Sequence, residues 1–578
     1  MREVMLHIRD VEGPKKTGSV ETRLGAMEQQ LFKCQGMVER GLNANHMMIT
    51  EFTNKHRIDA NDIGKHLSRL YERIDQLQAE IYDLQNQNCS GSKKQARLPP
   101  SPPGLPLIGH LHLGRDHVSL CNLAKKHGSD DGLMLLRRGT VPHLVVSSPG
   151  AAKAIMRTHG HLFASRPTSM VAGELLYGPL DVVFAPYGEH WRQARKLATM
   201  HLLSLRKVQS YRLARRQEVR LVMAVIREAA ATGTAVDMSE MMNTFAYGMV
   251  CGALSGKFIK KEGRNKMLRE LIEANTTLFA SFNLENCFPR LAWLTRSSVC
   301  SKAKKVNRRW DDLLEKIIQD HEKRSLLSPH GTHHDAKQEE GSDFIDVLLS
   351  VRQQEDYEGI TREHIKAILM DMFAAGTDTS SFALEVAMAE IMRNPRVMTK
   401  LQAEVRNGTP KGQDMVEEEN LANMAYLKAV VKETLRLHPP LPLLIPHSSM
   451  LESDVDVAGY TLPSGAWVMV NTWAINRDPG WWEKPEEFLP ERFMEGGSAS
   501  TVDFRGNDFQ FLPFGAGRRI CPGMNFGLAM IEIMLANLVY GHDWELPSGI
   551  EKNGIDMTEV FRLSVRRKEK LMLVPKTT

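Results

Sequence analysis

Seven apolar residues, Ile63, Leu67, Leu70, Ile74, Leu77, Ile81 and Leu84, recur at alternating steps of four and three. That spacing puts them on one seam of a helix and predicts three heptads. They read equally as a coiled coil that self-associates through residues 63–84 or as an amphipathic helix packed on its own chain. Around them, residues 1–96 are polar and charged, with no run near the roughly 18 to 20 apolar residues a spanning helix needs. Neither a signal peptide nor a membrane anchor is expected in this leader. The pattern changes at Arg97-Leu98-Pro99-Pro100-Ser101-Pro102-Pro103-Gly104, a hinge preceded by Lys93 and Lys94. Beyond it, helical periodicity dominates. Thr361 to Arg393 has few helix breakers and reads as one long helix with Gly376 at its middle. Strand-like pieces stand at Leu144-Val145-Val146 and Trp467-Val468-Met469-Val470, bounded by Pro and Gly turns. Ser325 to Gly341 reads as a solvated loop; its His330, His333 and His334 lack the Cys or helically spaced partner of a metal site. The expected class is mainly α with small β-sheets.

Composition changes this picture little. Of 578 residues, 42% are hydrophobic and 25% charged, enough to bury a large core, and a net charge of +5 gives nucleic-acid binding no support. Seven cysteines, at 34, 89, 121, 251, 287, 300 and 521, form no Cys-x-x-Cys pair. Neither a zinc site nor a disulfide framework is indicated, and a reducing compartment fits.

The candidate chemistry centres on Cys521, inside Phe514-Gly515-Ala516-Gly517-Arg518-Arg519-Ile520-Cys521-Pro522-Gly523. A lone cysteine is usually an inert small hydrophobe. This one has spaced partners suited to a haem thiolate, which needs a rigid, partly dry loop around the sulfur. Gly517 permits a turn, Gly523 a close approach by the following helix, Phe514 shields the sulfur, and Arg519 offers a planar cation to a propionate. On the long helix, Gly376 and Thr379 are expected to loosen the backbone, the threonine by bonding back one turn, and Asp378 and Thr379 form an acid–alcohol pair suited to proton relay. Glu433 and Arg436 lie at i, i+3 on another helix. With Arg492 they make a network that can be satisfied when buried.

Phe514, Gly517, Arg519, Cys521 and Gly523 match the signature of the cytochrome P450 family, and the chain resembles that family from about residue 97 to 578. Trp191 and Arg195 are similar to its helix C motif, Ala375-Gly376-Thr377-Asp378-Thr379 to its oxygen-activation motif, Glu433-Thr434-Leu435-Arg436 to that of helix K, and Pro490-Glu491-Arg492-Phe493 to the segment completing that network. The resemblance implies one large domain over 97–578, with haem b between a long distal helix and the proximal Cys521 loop. Residues 1–96 then stand where the family carries an apolar anchor; a fusion, a misassembled gene model and a soluble form all fit such a leader. The cytosolic face of the endoplasmic reticulum membrane is the location the family implies.

By the same resemblance, Trp191, Arg195, His447 and Arg519 are expected at the haem propionates. Leu175, Leu176, Val183, Phe373, Ala374, Leu444, Ile445 and Phe561 are expected to line an apolar pocket, about half of them turning out to be core. Arg192, Arg195, Lys196, Arg206 and Lys207 are expected to form a basic face that docks an NADPH-dependent reductase. No dinucleotide fingerprint appears in the chain, so NADPH is expected to act only through that partner. The motif wording is similar to the plant A-type branch, which implies a monooxygenase placing one atom of O₂ in a lipophilic metabolite of terpenoid, indole or phenylpropanoid type. A haem-thiolate isomerase or dehydratase acting on a peroxide, and a catalytically dead coiled-coil adaptor, are the alternatives.

Overall fold

Helices build the site: Glu189–Leu197 (α1), Met238–Ser255 (α2), Arg264–Ala280 (α3), Trp293–Leu327 (α4), Arg362–Arg393 (α5), Ala425–Leu437 (α6) and Met524–Gly541 (α7). In this computed structural model the described residues are 97–255, 264–281, 283–327, 343–352, 359–450, 455–549, 551 and 554–577. The described residues from Arg97 onward form one compact unit. The leader, with its heptads at 63–84, lies outside the described residues, as do His330, His333 and His334. The loop expected from Ser325 starts later, because α4 continues to Leu327.

The apolar run at 361–393 becomes α5, opened by a capping box in which Thr361 and His364 satisfy each other's backbone donors. Its interior positions, including Leu369, Leu384, Val386 and Met388, are wholly buried. A helix apolar all round belongs inside a fold, and α7 is the second such element. It is long and apolar enough to cross a membrane, yet more than half of its apolar window is buried in the protein. Gly376 does not loosen α5, which runs unbroken from 362 to 393. A Cβ at 376 would lie 3.0 Å from Val250 Cγ2, so the glycine serves close packing of α2 on α5.

Four strands make the main sheet: Leu133–Arg138 (β1), Val141–Val146 (β2), His447–Ser448 (β3) and Trp467–Val470 (β4), in the order β1-β2-β4-β3. β1 pairs antiparallel with β2, β2 parallel with β4, and β4 antiparallel with β3. Both strand expectations fall inside it. A C-terminal hairpin, Glu559–Val560 (β5) with Arg566–Arg567 (β6), pairs Val560 with Arg566. Its tip, Phe561 to Val565, comes back toward the long helix.

Candidate active site

Two backbone devices present Cys521. Its N–H donates to Phe514 O at 2.9 Å, which closes the loop, and Gly523 is the N-cap of α7. Gly515 and Gly517 have φ of 69° and 65°. A Cβ at Gly517 would stand 2.1 Å from the Met156 carbonyl oxygen, so any side chain there would drive the loop off its neighbour. Burial pushes the Cys521 thiol up, while the N–H groups of Gly523 and Met524 and the cation of Arg195 act to lower it.

The sulfur borders about 1470 Å³ of empty space. Across it α5 presents Asp371, Met372, Ala375, Gly376, Thr379, Ser380 and Ala383, one face of a helix at steps of three and four. Thr379 Oγ1 donates to Ala375 O at 2.7 Å, as the sequence predicts. Arg166, Arg195, Arg519 and His447 lie along the same cavity wall. Arg166 donates to Val183 O, Ile445 O and Pro446 O, Arg519 to Ala164 O, Val182 O and Ala185 O, and Arg195 to Ile520 O. These guanidinium donors end on neutral carbonyls. Burial and repulsion by Arg519 pull Arg166 down to about 9, and burial and repulsion by Arg195 pull Arg519 down to about 10. A dry edge with so much unbalanced positive charge suits a ligand carrying carboxylates, and a broad cavity with a sulfur on one wall suits haem.

Asp378 is buried, and its Oδ2 accepts from Arg566 Nη2 at 3.1 Å and lies 3.4 Å from Thr276 Oγ1. Arg566 also reaches Glu273 on α3 at 2.6 Å. The acid therefore faces a second cavity of about 660 Å³, whereas Thr379 borders both. That second space is lined by Leu176, Val183, Phe184, Phe279, Ala374, Ile445 and Leu563 among others, with the Phe184 and Phe279 rings stacked 4.3 Å apart.

Several expected residues stand elsewhere. Trp191 does not border the cavity: its indole N–H donates to Val182 O at 3.0 Å, and Arg519 lies over its ring at 4.1 Å. Leu175 is core, without exposure. Phe373 is core as well, on the α5 face that meets Trp310. Phe561 is 38% exposed and sits beside the His117 ring. Val183, Leu444 and Ile445 line the large cavity; Leu176 and Ala374 line the second. His447 borders the cavity as a neutral ring, since burial beside Arg166 takes it down to about 3 and its Nδ1 meets Phe163 O at 2.8 Å. Of the basic face, Arg192, Lys196 and Arg206 are exposed, while Arg195 turns inward and Lys207 is buried against Tyr211.

The network expected on α6 is present. Glu433 accepts from Arg436 Nε and Nη2, each at 2.8 Å, and from Arg492 Nε at 3.1 Å. Arg166, Asp181 and Asp371 escaped sequence reading. The one available signal was polarity out of place: an arginine after the apolar Phe163-Ala164-Ser165, and an aspartate among the core residues of α5.

The sequence profile described as Cytochrome P450 matches residues 99–574. Maize indole-2-monooxygenase is 53% identical over 84% of this chain and 89% of its own length. Maize indolin-2-one monooxygenase is 51% identical over 84% and 90%. A zebrafish cytochrome P450 solved with progesterone shares the fold at a TM-score of 0.66, with 24% identity over 80% of this chain and 99% of its own. With a cysteine loop and a distal helix facing one cavity, and with relatives at this level of identity, the chain belongs to the cytochrome P450 family, as a haem-thiolate monooxygenase of its plant A-type branch.

Proposed function

We propose that the protein inserts one oxygen atom of O₂ into a lipophilic plant metabolite of the indole class, using electrons passed from NADPH by a separate reductase. The observation that carries this reading is that Cys521 and Thr379 border one cavity from opposite walls, continuous through shared residues with an apolar pocket. Haem bound there would supply oxygen activation, and Cys521 would be its thiolate ligand. Phe514 and Gly523 flank the sulfur. Arg166, Arg195 and Arg519 would hold the two propionates, and His447 would join them only by taking up a proton. The apolar pocket holds the substrate by burial and keeps water out. Val183, Leu444 and Ile445 set which carbon faces the reacting centre.

Thr379 offers a hydroxyl at the cavity, and Asp378, paired with Arg566 beside Glu273 and Arg562, would relay protons toward it. Exposed Arg192, Lys196 and Arg206 dock the acidic reductase. Leu107, Trp293 and Leu294, exposed at 83%, 69% and 57%, support work at the cytosolic face of the endoplasmic reticulum membrane. The test is turnover of indole with reductase: oxygenated product that requires NADPH and O₂ is expected, and no product with NADPH and reductase, together with rearrangement of an organic hydroperoxide without O₂ uptake, would overturn the reading.

Thr379→Ala is expected to keep oxidising NADPH while product per NADPH falls about tenfold or more, because the last proton donor is lost. Parallel measurement of NADPH, hydrogen peroxide and product decides it. Unchanged coupling would remove Thr379 from the relay.

A further inference from the structure

Two buried carboxyls meet where the loop 181–184 crosses the distal helix. Asp181 has no exposed surface and Asp371, on α5, is 6% exposed. Asp371 Oδ2 accepts from the N–H of Val182 at 2.8 Å and of Val183 at 3.2 Å. Asp181 Oδ2 accepts from the N–H of Val183 at 3.0 Å and of Phe184 at 2.7 Å. Asp181 Oδ1 is buried and receives no N–H or hydroxyl donor, and the two carboxyls converge on one donor, the N–H of Val183, which brings them side by side. Two carboxylates cannot both be ionised in such contact without a cation between them.

The cations that face the pair sit on the other side of the loop. Arg166, from the segment before residue 170, donates to Val183 O. Arg519, from the cysteine loop, donates to Val182 O, as does Trp191 of α1. The charge of Asp181 acts on both arginines, and Arg195 of α1 adds a third positive charge to this group. Burial raises Asp181 too, against its backbone N–H donors, but the arginines favour its charge, whereas Asp371 lies on the apolar helix and is raised further by the Asp181 charge. Val182 and Val183 are held by every polar backbone atom they have: N–H groups on the acid pair, carbonyls on Trp191, Arg519 and Arg166.

We propose that Asp371 is a neutral carboxylic acid whose O–H donates to the Asp181 carboxylate, and that this shared proton latches Val182 and Val183 in place as a specificity-determining wall of the cavity. Asp371 is a positioning residue here, acting on substrate through the loop. Burial and the Asp181 charge both raise Asp371. The sign follows: the neutral form and the latch are complete at low pH, and both are lost as pH rises through the elevated value, when a second buried negative charge forces the loop away.

The direct test is infrared difference spectroscopy of the full-length, haem-loaded protein against its Asp371→Asn variant at pH 7. A protonated-carboxyl C=O band present in the wild type and missing from the variant is expected; identical spectra in that region would overturn the proposal. This arm needs neither substrate nor reductase, so its failure is separate from failure of the monooxygenase reading. The second arm measures the binding of indole, as a probe, by its effect on the Soret band across pH. Wild-type affinity should weaken on alkalinisation, and Asp371→Asn should remove that dependence, because its amide N–H₂ donates at every pH. At pH 7, Asp371→Ala, which leaves Asp181 Oδ1 and the Val182 N–H unsatisfied while Val183 N–H keeps Asp181 Oδ2, should weaken binding about tenfold and do more harm than Asn. Asn as damaging as Ala, or a flat wild-type pH profile without the protonated-carboxyl band, would show that Asp371 is ionised and holds no shared proton.

Discussion

Cys521→Ala is expected to yield folded protein whose dithionite-reduced carbon monoxide difference spectrum lacks the red-shifted Soret band, with monooxygenase activity abolished. The size of the effect follows from the geometry. Among the described residues the sulfur is the sole thiol bordering the cavity, placed at the start of α7 where the N–H groups of Gly523 and Met524 and the Arg195 cation favour its charged form. Its immediate flanks offer no substitute: Pro522 and Phe514 have no ligating group, and the arginines beyond cannot ligate iron. Burial holds the free thiol protonated, so ligation must release that proton. Cys300→Ala is the control, since Cys300 is buried away from the cavity and its loss should leave the band intact. A thiolate-type band persisting in Cys521→Ala would place the ligand elsewhere and undo the assignment of the proximal loop.

Much of this site could be read before any coordinates, for a reason visible in particular residues. The loop around Cys521 is local: the glycines, the phenylalanine and the sulfur sit within ten positions, and their backbone demands are set by neighbours in sequence. The start of α5 was likewise written in Thr361 and the unbroken run that follows. What failed was long-range. Trp191 was expected at a propionate, but its N–H is taken by Val182 O, a partner fixed by how the loop 181–184 folds. Phe373 was expected in the pocket, though the helical period already argued otherwise: 372, 375, 376, 379, 380 and 383 share the cavity face, and 373 falls beside it toward Trp310. Asp378 drew its partner from 188 residues further along the chain, and Asp371 drew its own from 189 residues back. No period or motif within α5 could name Arg566 or Val182.

Glu433→Ala is expected to destabilise the protein by about 3–5 kcal/mol, the range for stripping one partner from a buried ion network. Glu433 and Arg436 have no exposed surface and Arg492 has 4%, so removal of the one carboxylate leaves two guanidiniums buried with no counter-charge. Their remaining donors end on carbonyls: Arg436 on Asn476 O, Pro485 O and Glu487 O, Arg492 on Glu483 O and Lys484 O. Glu433 also receives the N–H of Leu489 at 2.8 Å, which ties α6 to residues 476–493. From there an aromatic ladder runs to the haem loop. Phe493 meets Phe511 at 5.5 Å, Phe511 meets Phe504 at 6.1 Å, and Phe504 meets Phe514 at 5.4 Å. Loosening the network should therefore be felt at Cys521 without any change in the cavity itself. Urea denaturation should show the lower midpoint, and the carbon monoxide spectrum should show a reduced or blue-shifted Soret fraction. Glu433→Gln, which keeps shape and two acceptor lone pairs but loses the charge, should fall between wild type and Ala. The double variant Glu433→Ala with Arg492→Met should recover part of the loss, because one stranded cation is gone. A Glu433→Ala protein within about 1 kcal/mol of wild type would mean that water reaches these guanidiniums, and the proximal side would then owe its rigidity to the aromatic ladder alone.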